Sequence, residues 1–171
     1  TICEYHPTHK VEIIPMKSDR EVPPEVLLND AGEIGIFTTH IQDALLRAEI
    51  DIAVHSLKDL PVQEPEGLVI AAIPTREDPS DALVSRSGLR LADLPTNSTI
   101  GTSSVRRAAQ LSMLYPDMNI LPVRGNIHAR LDKLDTDRFD AIILATAGLV
   151  RLGLESRITE RLTYPQFLPA P

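Results

Sequence analysis

The sequence predicts an α/β fold built from two lobes with mostly parallel sheets. Several short segments are unbroken runs of Val, Ile, Leu and Ala, as in strands that are covered on both faces. The segments between them carry apolar residues at helical spacing, and such alternation is typical of parallel sheets. With 171 residues, of which 43% are hydrophobic, the chain is long enough to bury a core.

We predict seven strands, each a short stretch rich in apolar residues. They lie at residues 11–15, 50–56, 68–73, 81–85, 98–102, 119–123 and 140–145. Three amphipathic helices fall between them. In residues 39–48, Thr39 begins a capping-box pattern. The helix predicted at residues 104–114 has a serine as its N-cap. The helix predicted at residues 126–135 has Asn126, a favourable N-cap.

The stretch "PTREDPSD" at residues 74–81 interrupts this alternation with two prolines and mixed charge. We interpret it as a crossover between lobes, which places the first lobe at residues 1–75 and the second at residues 76–165. Two α/β lobes that face one another form a cleft, which is the usual place for a ligand.

Charge and composition exclude several classes of protein. The net charge of -7 disfavours nucleic acid and anionic membranes as partners, because both require a positive surface. The longest apolar runs, such as residues 141–150, are shorter than the roughly 20 residues that cross a bilayer. Without a signal-peptide pattern, and with a single cysteine, we expect a cytoplasmic protein.

One part of this acidic chain is basic. Between Arg106 and Arg130 the sequence has four arginines and a single acid, Asp117. Arginine favours planar, two-pronged recognition of carboxylate or phosphate groups, so we interpret the region as a binding surface. The alternative is a solvated helix face.

Two strand-to-helix junctions in this region have the character of anion sites. After Gly101, hydroxyl side chains and free backbone N–H groups precede a helix whose first turn carries Arg106 and Arg107. Cations there oppose the helix dipole, which indicates a compensating anion. Residues 122–130 repeat the pattern with Arg124 and Arg130, so we predict a ligand with several carboxylates.

A third junction lies in the first lobe. The stretch "DIAVHSLKDLP" at residues 51–61 begins as an apolar strand and ends with Lys58 and Asp59. Ligands of open α/β sheets bind outside the carboxyl ends of the strands, which makes both residues candidates for a functional site.

Five segments resemble, in order and spacing, the motifs of the porphobilinogen deaminase (hydroxymethylbilane synthase) family. They are "DIAVHSLKDLP", "GTSSVRR", "RGNIHARLDKL", "FDAIILATAGLVRLGL" and "FLPAP". The resemblance implies a transferase of tetrapyrrole and heme biosynthesis that joins four units of its substrate porphobilinogen and releases ammonia. It also implies a covalent dipyrromethane cofactor, a monomer, and lobes like those of type II periplasmic binding proteins.

The resemblance assigns roles to residues of this chain. Asp59 is similar to the catalytic aspartate, which contacts pyrrole N–H groups, assists proton transfer as ammonia leaves and offsets the charge of the azafulvene intermediate. Further residues match cleft positions that bind acetate and propionate arms. They are Ser56, Lys58, Thr102, Ser104, Arg106, Arg107, Arg124, Arg130 and Arg151.

The sequence departs from the family pattern in several places. The usual opening strand and helix are absent, so we expect an incomplete first lobe. Ile34 and Thr39 stand where many members have lysines, and His40 where they have glutamate. We expect residues 166–171 to begin a return to the first lobe and the third domain, with the cofactor cysteine, to be absent. Cys3 lies at the wrong end to be that cysteine.

Alternatives to the enzyme stay open. The same lobes could form a binding module for a polycarboxylate small molecule without catalysis, or a relative that has kept the fold and lost activity. Cys3, His6 and His9 have a spacing that suits zinc, but a fourth ligand is missing, so we predict no metal.

Overall fold

A computed structural model describes residues 2–16, 38–61, 63, 65–136 and 138–170. The chain forms two compact units. Of the described residues, 2–16 and 38–71 belong to the first unit and 72–170 to the second.

The first unit contains two helices and one short 3-10 turn among its described residues. They are α1 (Ile2–Tyr5), α2 (Thr39–Leu46) and the turn Leu57–Asp59. Helix α2 buries Ala44, and its N-cap is the fully buried Thr38. The expected cap at Thr39 is therefore one residue too late, because Thr39 is already helical.

The strands expected at 11–15, 50–56 and 68–73 are not formed. Their apolar side chains are largely exposed, with Ile13 at 86% and Val54 at 91% of full exposure. An apolar run becomes a strand only when a neighbouring strand takes its backbone hydrogen bonds, and the described part of this unit supplies none. The prediction of these three strands is wrong.

The second unit is built on a five-stranded sheet in the order β3-β2-β4-β1-β5. The strands are β1 (Asp81–Ser85), β2 (Thr99–Gly101), β3 (Asn119–Leu121), β4 (Ala141–Ala145) and β5 (Glu160–Leu162). Strands β3, β2 and β4 are mutually parallel, whereas β1 pairs antiparallel with β4 and with β5. Four strands therefore point one way and β1 points the other, which confirms the predicted α/β fold with a mostly parallel sheet.

Three helices and two 3-10 turns accompany the sheet among the described residues of this unit. The helices are α3 (Val105–Leu114), α4 (Ile127–Asp135) and α5 (Thr146–Arg151), and the turns are Leu91–Asp93 and Glu155–Arg157. In the described parts of the chain, no helix has both the length and the apolar character needed to cross a membrane.

The sheet is covered on both faces, as the apolar strands predict. Successive residues of β4 point to opposite sides, so Ile142 joins a core with Leu131 and Leu149, while Ile143 joins a second core with Leu111. Helices α4 and α5 thus cover one face and α3 the other.

Both predicted N-caps of this unit are confirmed. The Asn126 side chain accepts a hydrogen bond from the Ala129 N–H at 2.9 Å, at the start of α4. The Ser104 hydroxyl accepts one from the Arg107 N–H at 3.5 Å, at the start of α3.

Candidate anion-binding site

The starts of α3, α4 and α5 lie along one edge of the second unit's sheet. Each helix follows a strand of the parallel set β2, β3 and β4, and the carboxyl ends of parallel strands share an edge. Because β1 runs the opposite way, its first residue, Asp81, stands at this same edge, opposite Ala145. Helix N-termini attract anions, so this edge is suited to a negatively charged ligand.

Buried hydroxyl groups shape the loop between β2 and α3. The Thr102 backbone N–H donates to the Leu121 carbonyl at 2.9 Å, and the Thr102 hydroxyl accepts from the Ser104 N–H at 3.2 Å. The Ser103 hydroxyl donates to the Val123 carbonyl at 2.9 Å. These contacts tie the loop after β2 to the strand end of β3 and fix the direction in which α3 begins.

Arg106 and Arg107 share one buried carboxylate. Oδ1 of Asp81 accepts from Nε of Arg107 at 2.8 Å and lies 2.7 Å from its Nη2, while Oδ2 lies 2.8 Å from Nη2 of Arg106. Nη1 of Arg107 donates to the Ile143 carbonyl at 3.2 Å. The sequence predicted two cations available to a ligand, and the structure shows that both also have an internal anionic partner.

Arg130 adds a third guanidinium to this edge. Its Nε donates to the Gly125 carbonyl at 2.7 Å. Burial lowers the pKa of Arg130, and the positive charges of Arg107 and Arg124 lower it further. Like charges that act on one another in this way mark a concentration of positive charge, which an anion would relieve. Four of the predicted arginines therefore lie in this region: Arg106, Arg107, Arg124 and Arg130.

The segment after β5 lies against the first two turns of α3. Gln110 donates to the Leu168 carbonyl at 3.1 Å and accepts from the Leu168 N–H at 2.6 Å. Arg106 donates to the same carbonyl through Nη1. One side of Arg106 is thus held by backbone and the other by Asp81.

Arg151 occupies a different position from the other arginines. It is the last residue of α5 and is exposed. With a rise of about 1.5 Å per residue, it lies roughly 7.5 Å along the helix from Thr146, the first residue of α5. Its role in binding stays a prediction.

The predicted site residues of the first unit lie on its 3-10 turn. Ser56 precedes the turn, and its carbonyl accepts the Asp59 N–H at 2.9 Å. Ser56, Lys58 and Asp59 are all exposed. Since residues 50–56 are not a strand here, Asp59 is presented by a turn and not by a strand end. Its catalytic role stays a prediction.

Two other expectations concern the first unit. Thr39 and His40 form the first turn of α2, where His40 is half-buried, and Ile34 lies outside the described residues. Across the described ranges, no three His, Cys, Asp or Glu side chains come together in a way that could hold a metal ion.

Sequence reasoning missed Asp81. In the sequence, Asp81 ends the crossover at residues 74–81 and begins an apolar strand, and neither position indicates a functional role. The available signal was an acid placed immediately before a buried run, since an acid is rarely fully buried without a partner. Its partner could not be identified, because the reversed direction of β1 is a property of the whole sheet.

A mostly parallel sheet whose helix N-termini gather arginines at one edge defines an α/β protein with a candidate anion-binding site. The family model "Porphobilinogen deaminase, dipyromethane cofactor binding domain" matches residues 2–171. The chain belongs to the porphobilinogen deaminase family, which confirms the resemblance of the five motifs.

Curated relatives agree with this assignment. A protein of Desulforudis audaxviator named porphobilinogen deaminase is 53% identical over 146 residues, covering 85% of this chain and 47% of the relative. Relatives of the same name from Nitratidesulfovibrio vulgaris and Thiobacillus denitrificans are 48% and 47% identical, covering 96% and 98% of this chain and 52% and 55% of their own length. The chain spans about half the length of the curated relatives that it matches.

Proposed function

We propose that the protein containing this chain is a porphobilinogen deaminase, or hydroxymethylbilane synthase. It is a transferase of tetrapyrrole and heme biosynthesis that condenses four porphobilinogen units and releases ammonia. The observation that carries the proposal is the concentration of positive charge formed by Arg107, Arg124 and Arg130 beside two capped helix N-termini. Each pyrrole unit carries two carboxylates, so a growing chain needs such a surface.

The arginines would bind the acetate and propionate arms. Arg124 and Arg130 supply charge at the start of α4, and Arg106 and Arg107 at the start of α3. Thr102 and Ser104 would shape the loop that carries the second pair, as their hydrogen bonds indicate. In the proposal, Ser56, Lys58 and Arg151 also bind acetate and propionate arms.

Asp59 would act on the pyrrole itself. A carboxylate accepts hydrogen bonds from pyrrole N–H groups, and its negative charge stabilises the cation that develops as the amine departs as ammonia. Asp59 lies exposed on a 3-10 turn, so its carboxylate is accessible to a ligand. A binding module would gain nothing from such an acid, because it would repel the ligand's carboxylates.

The family's dipyrromethane cofactor suits the same surface. Its acetate and propionate groups are carboxylates, and the donors at this edge are guanidinium groups and helix N-termini, which prefer such partners. Arg106, Arg107, Arg124 and Arg130 would hold it. When bound, the cofactor supplies the covalent anchor for the growing chain. Cys3 is exposed in α1, in the first unit, and is not proposed as its attachment point.

We further propose that the protein works as a monomer in the cytoplasm and without nucleic acid or membrane. The net charge of -7 supports the exclusion of nucleic acid and anionic membranes. Size-exclusion chromatography with light scattering of the complete protein would test the monomer, and a mass of twice that of the complete polypeptide would contradict it.

The test is made on the complete protein with Asp59→Asn. We expect porphobilinogen affinity to change little, since the arginines remain, and ammonia release to fall by roughly 10²- to 10⁴-fold, as for loss of an acid-base group. Asp51→Asn is the matched control, because Asp51 is also an exposed carboxylate of the first unit. It should leave both quantities unchanged.

The wild-type protein decides between the two functions. Ammonia release from porphobilinogen supports the deaminase. Tight binding without any release would instead support a two-lobe binding module for polycarboxylates, and absence of both would overturn the proposal.

A further inference from the structure

We propose that Asp81 is a positioning residue that holds Arg106 and Arg107 in the orientation in which they meet the ligand's carboxylates. The inference rests on the proposed function, since it concerns the same surface. It assigns a task to a buried acid at the edge where positive charge is gathered.

The position of Asp81 follows from the direction of β1. The other four strands reach this edge with their last residues, whereas the reversed β1 reaches it with its first. Asp81 pairs with Ala145 on one side and Leu162 on the other, so its backbone is fixed by both neighbouring strands. With only 2% of its surface exposed, it is inaccessible to a ligand and can act only through neighbours.

Its contacts fix the plane of Arg107. Nε and Nη2 of Arg107 both lie within 2.8 Å of Oδ1, and Nη1 donates to the Ile143 carbonyl. All three nitrogens of the guanidinium therefore have a defined partner. A planar group held in this way cannot rotate without breaking a charge-assisted hydrogen bond.

The other carboxylate oxygen forms an ion pair with Arg106. Nη2 of Arg106 lies 2.8 Å from Oδ2, and Nη1 donates to the Leu168 carbonyl. Arg106 and Arg107 are adjacent in the first turn of α3, so their positive charges would repel one another without the acid between them. Asp81 thus allows two neighbouring cations to be presented together.

The negative charge of Asp81 also offsets part of the positive charge of Arg106 and Arg107. Removing the acid makes the edge more positive, which by charge alone would strengthen the binding of a carboxylate. Removing it also releases the guanidinium groups, which weakens binding. The two effects have opposite signs, so the direction of the change in affinity distinguishes a positioning role from a purely electrostatic one.

The kinetic test compares Asp81→Asn with wild type in the complete protein. We expect KM for porphobilinogen to rise roughly tenfold or more, with little change in kcat, because binding is impaired and Asp59 is untouched. A purely structural role would lower the folded fraction, and so lower kcat without raising KM. Asp81→Glu keeps the charge on a longer arm and should recover part of the loss.

Asp140→Asn is the matched control. Asp140 precedes β4 at the opposite edge of the sheet, where it accepts the Thr99 N–H at 2.7 Å and pairs with Arg86 at 3.1 Å. The substitution removes the same charge from another aspartate that pairs with an arginine, and it should leave KM unchanged.

A second readout does not depend on turnover. In nitrogen-15 NMR spectra, the Nε–H signal of Arg107, which donates to Asp81, should be sharp and protected in wild type and exchange-broadened in Asp81→Asn. An unchanged signal, a KM equal to that of Asp140→Asn, or tighter binding would each overturn the inference. If the wild-type protein neither binds nor converts porphobilinogen, the proposed function fails, while the NMR comparison still decides the role of Asp81.

Discussion

Arg107 and Asp81 form a buried ion pair in which only 8% and 2% of their side chains are exposed, with Nη2 of Arg107 lying 2.7 Å from Oδ1. The arginine comes from the first turn of a helix and the acid from the first residue of a reversed strand. Isolated buried charges are costly, so each residue makes the burial of the other possible.

Arg107→Met should therefore destabilise the second unit. Loss of one partner of a buried pair costs about 3 to 5 kcal/mol, and we expect the lower value because Arg106 still contacts Asp81. Urea unfolding would measure the change. Arg157→Met is the control, since Arg157 and Asp135 form an exposed pair at 2.8 Å that contributes about 0 to 1 kcal/mol. Equal losses in the two variants would contradict the expectation.

The second unit could be predicted because its signals are local. Residues 81–85 form β1 as expected, and 140–145 contain β4, since unbroken apolar runs describe strands buried on both faces. Ser104 and Asn126 cap their helices as expected, because a cap requires only the residues of the first turn.

What could not be predicted depends on distant parts of the chain. Strand β5 reads Glu-Arg-Leu and buries only Leu162, so it has no apolar run to reveal it. The pairing of Asp81 with Arg106 and Arg107 depends on sheet order. In the first unit, the apolar run around Val54 is typical of a strand, but the described residues supply no neighbouring strand to pair with it.

Asn126→Ala should destabilise the protein by about 1 kcal/mol, the typical cost of losing an N-cap. Its side chain bonds the Ala129 N–H at 2.9 Å. Ser104→Ala should cost less, because the Ser104 hydroxyl lies 3.5 Å from the Arg107 nitrogen and that bond is weak. Chemical denaturation would rank the two variants, and a larger loss for Ser104→Ala would show that its hydroxyl does more than cap α3.

Gly101→Ala should be destabilising by about 1 to 3 kcal/mol, as overpacked cores are. A Cβ at this position would lie 2.9 Å from Cγ2 of Ile142 and 3.0 Å from the ring of Phe139, both of them packed in the core. Thermal unfolding would report the loss.

Gly148→Ala provides the comparison for Gly101→Ala. Its new Cβ would lie 2.6 Å from Cδ1 of Ile127, the flexible end of a side chain that can turn away. Alanine also favours the helix over glycine by about 1 kcal/mol. The net change should be small, and a loss as large as that of Gly101→Ala would show that Ile127 cannot move.

Asp78→Asn should lose stability at neutral pH but not in acid. Hydrogen bonding by Ser80 lowers the pKa of Asp78 below its ordinary value, burial opposes this, and Arg161 lowers it further. A depressed pKa stabilises the fold above the unfolded value of about 3.9, and this contribution disappears as the pH falls through the folded value. Urea unfolding at several pH values should show that the free energies of unfolding of wild type and variant converge as the pH falls from neutral to acid. A difference in free energy that is the same at every pH would contradict this.

Arg130→Gln should weaken ligand binding without a comparable loss of stability. Burial and the charges of Arg107 and Arg124 lower the pKa of Arg130, so its cationic form is disfavoured in the fold. Arginine is protonated in both the folded and the unfolded state at neutral pH. The unfavourable free energy of the Arg130 charge in the folded state is therefore independent of pH around neutrality. Relief of this repulsion should offset the lost hydrogen bond to the Gly125 carbonyl, which contributes about 1 kcal/mol.

The control for Arg130→Gln is Arg90→Gln. Its hydrogen bond to Glu160 raises the pKa of Arg90, so this exposed arginine is electrostatically satisfied, unlike Arg130. Calorimetry with porphobilinogen should show weaker binding for Arg130→Gln and wild-type binding for Arg90→Gln, and thermal unfolding should show Arg130→Gln within about 1 kcal/mol of wild type. Unchanged affinity would remove Arg130 from the ligand surface, and a loss of several kcal/mol would show that Arg130 serves the fold instead.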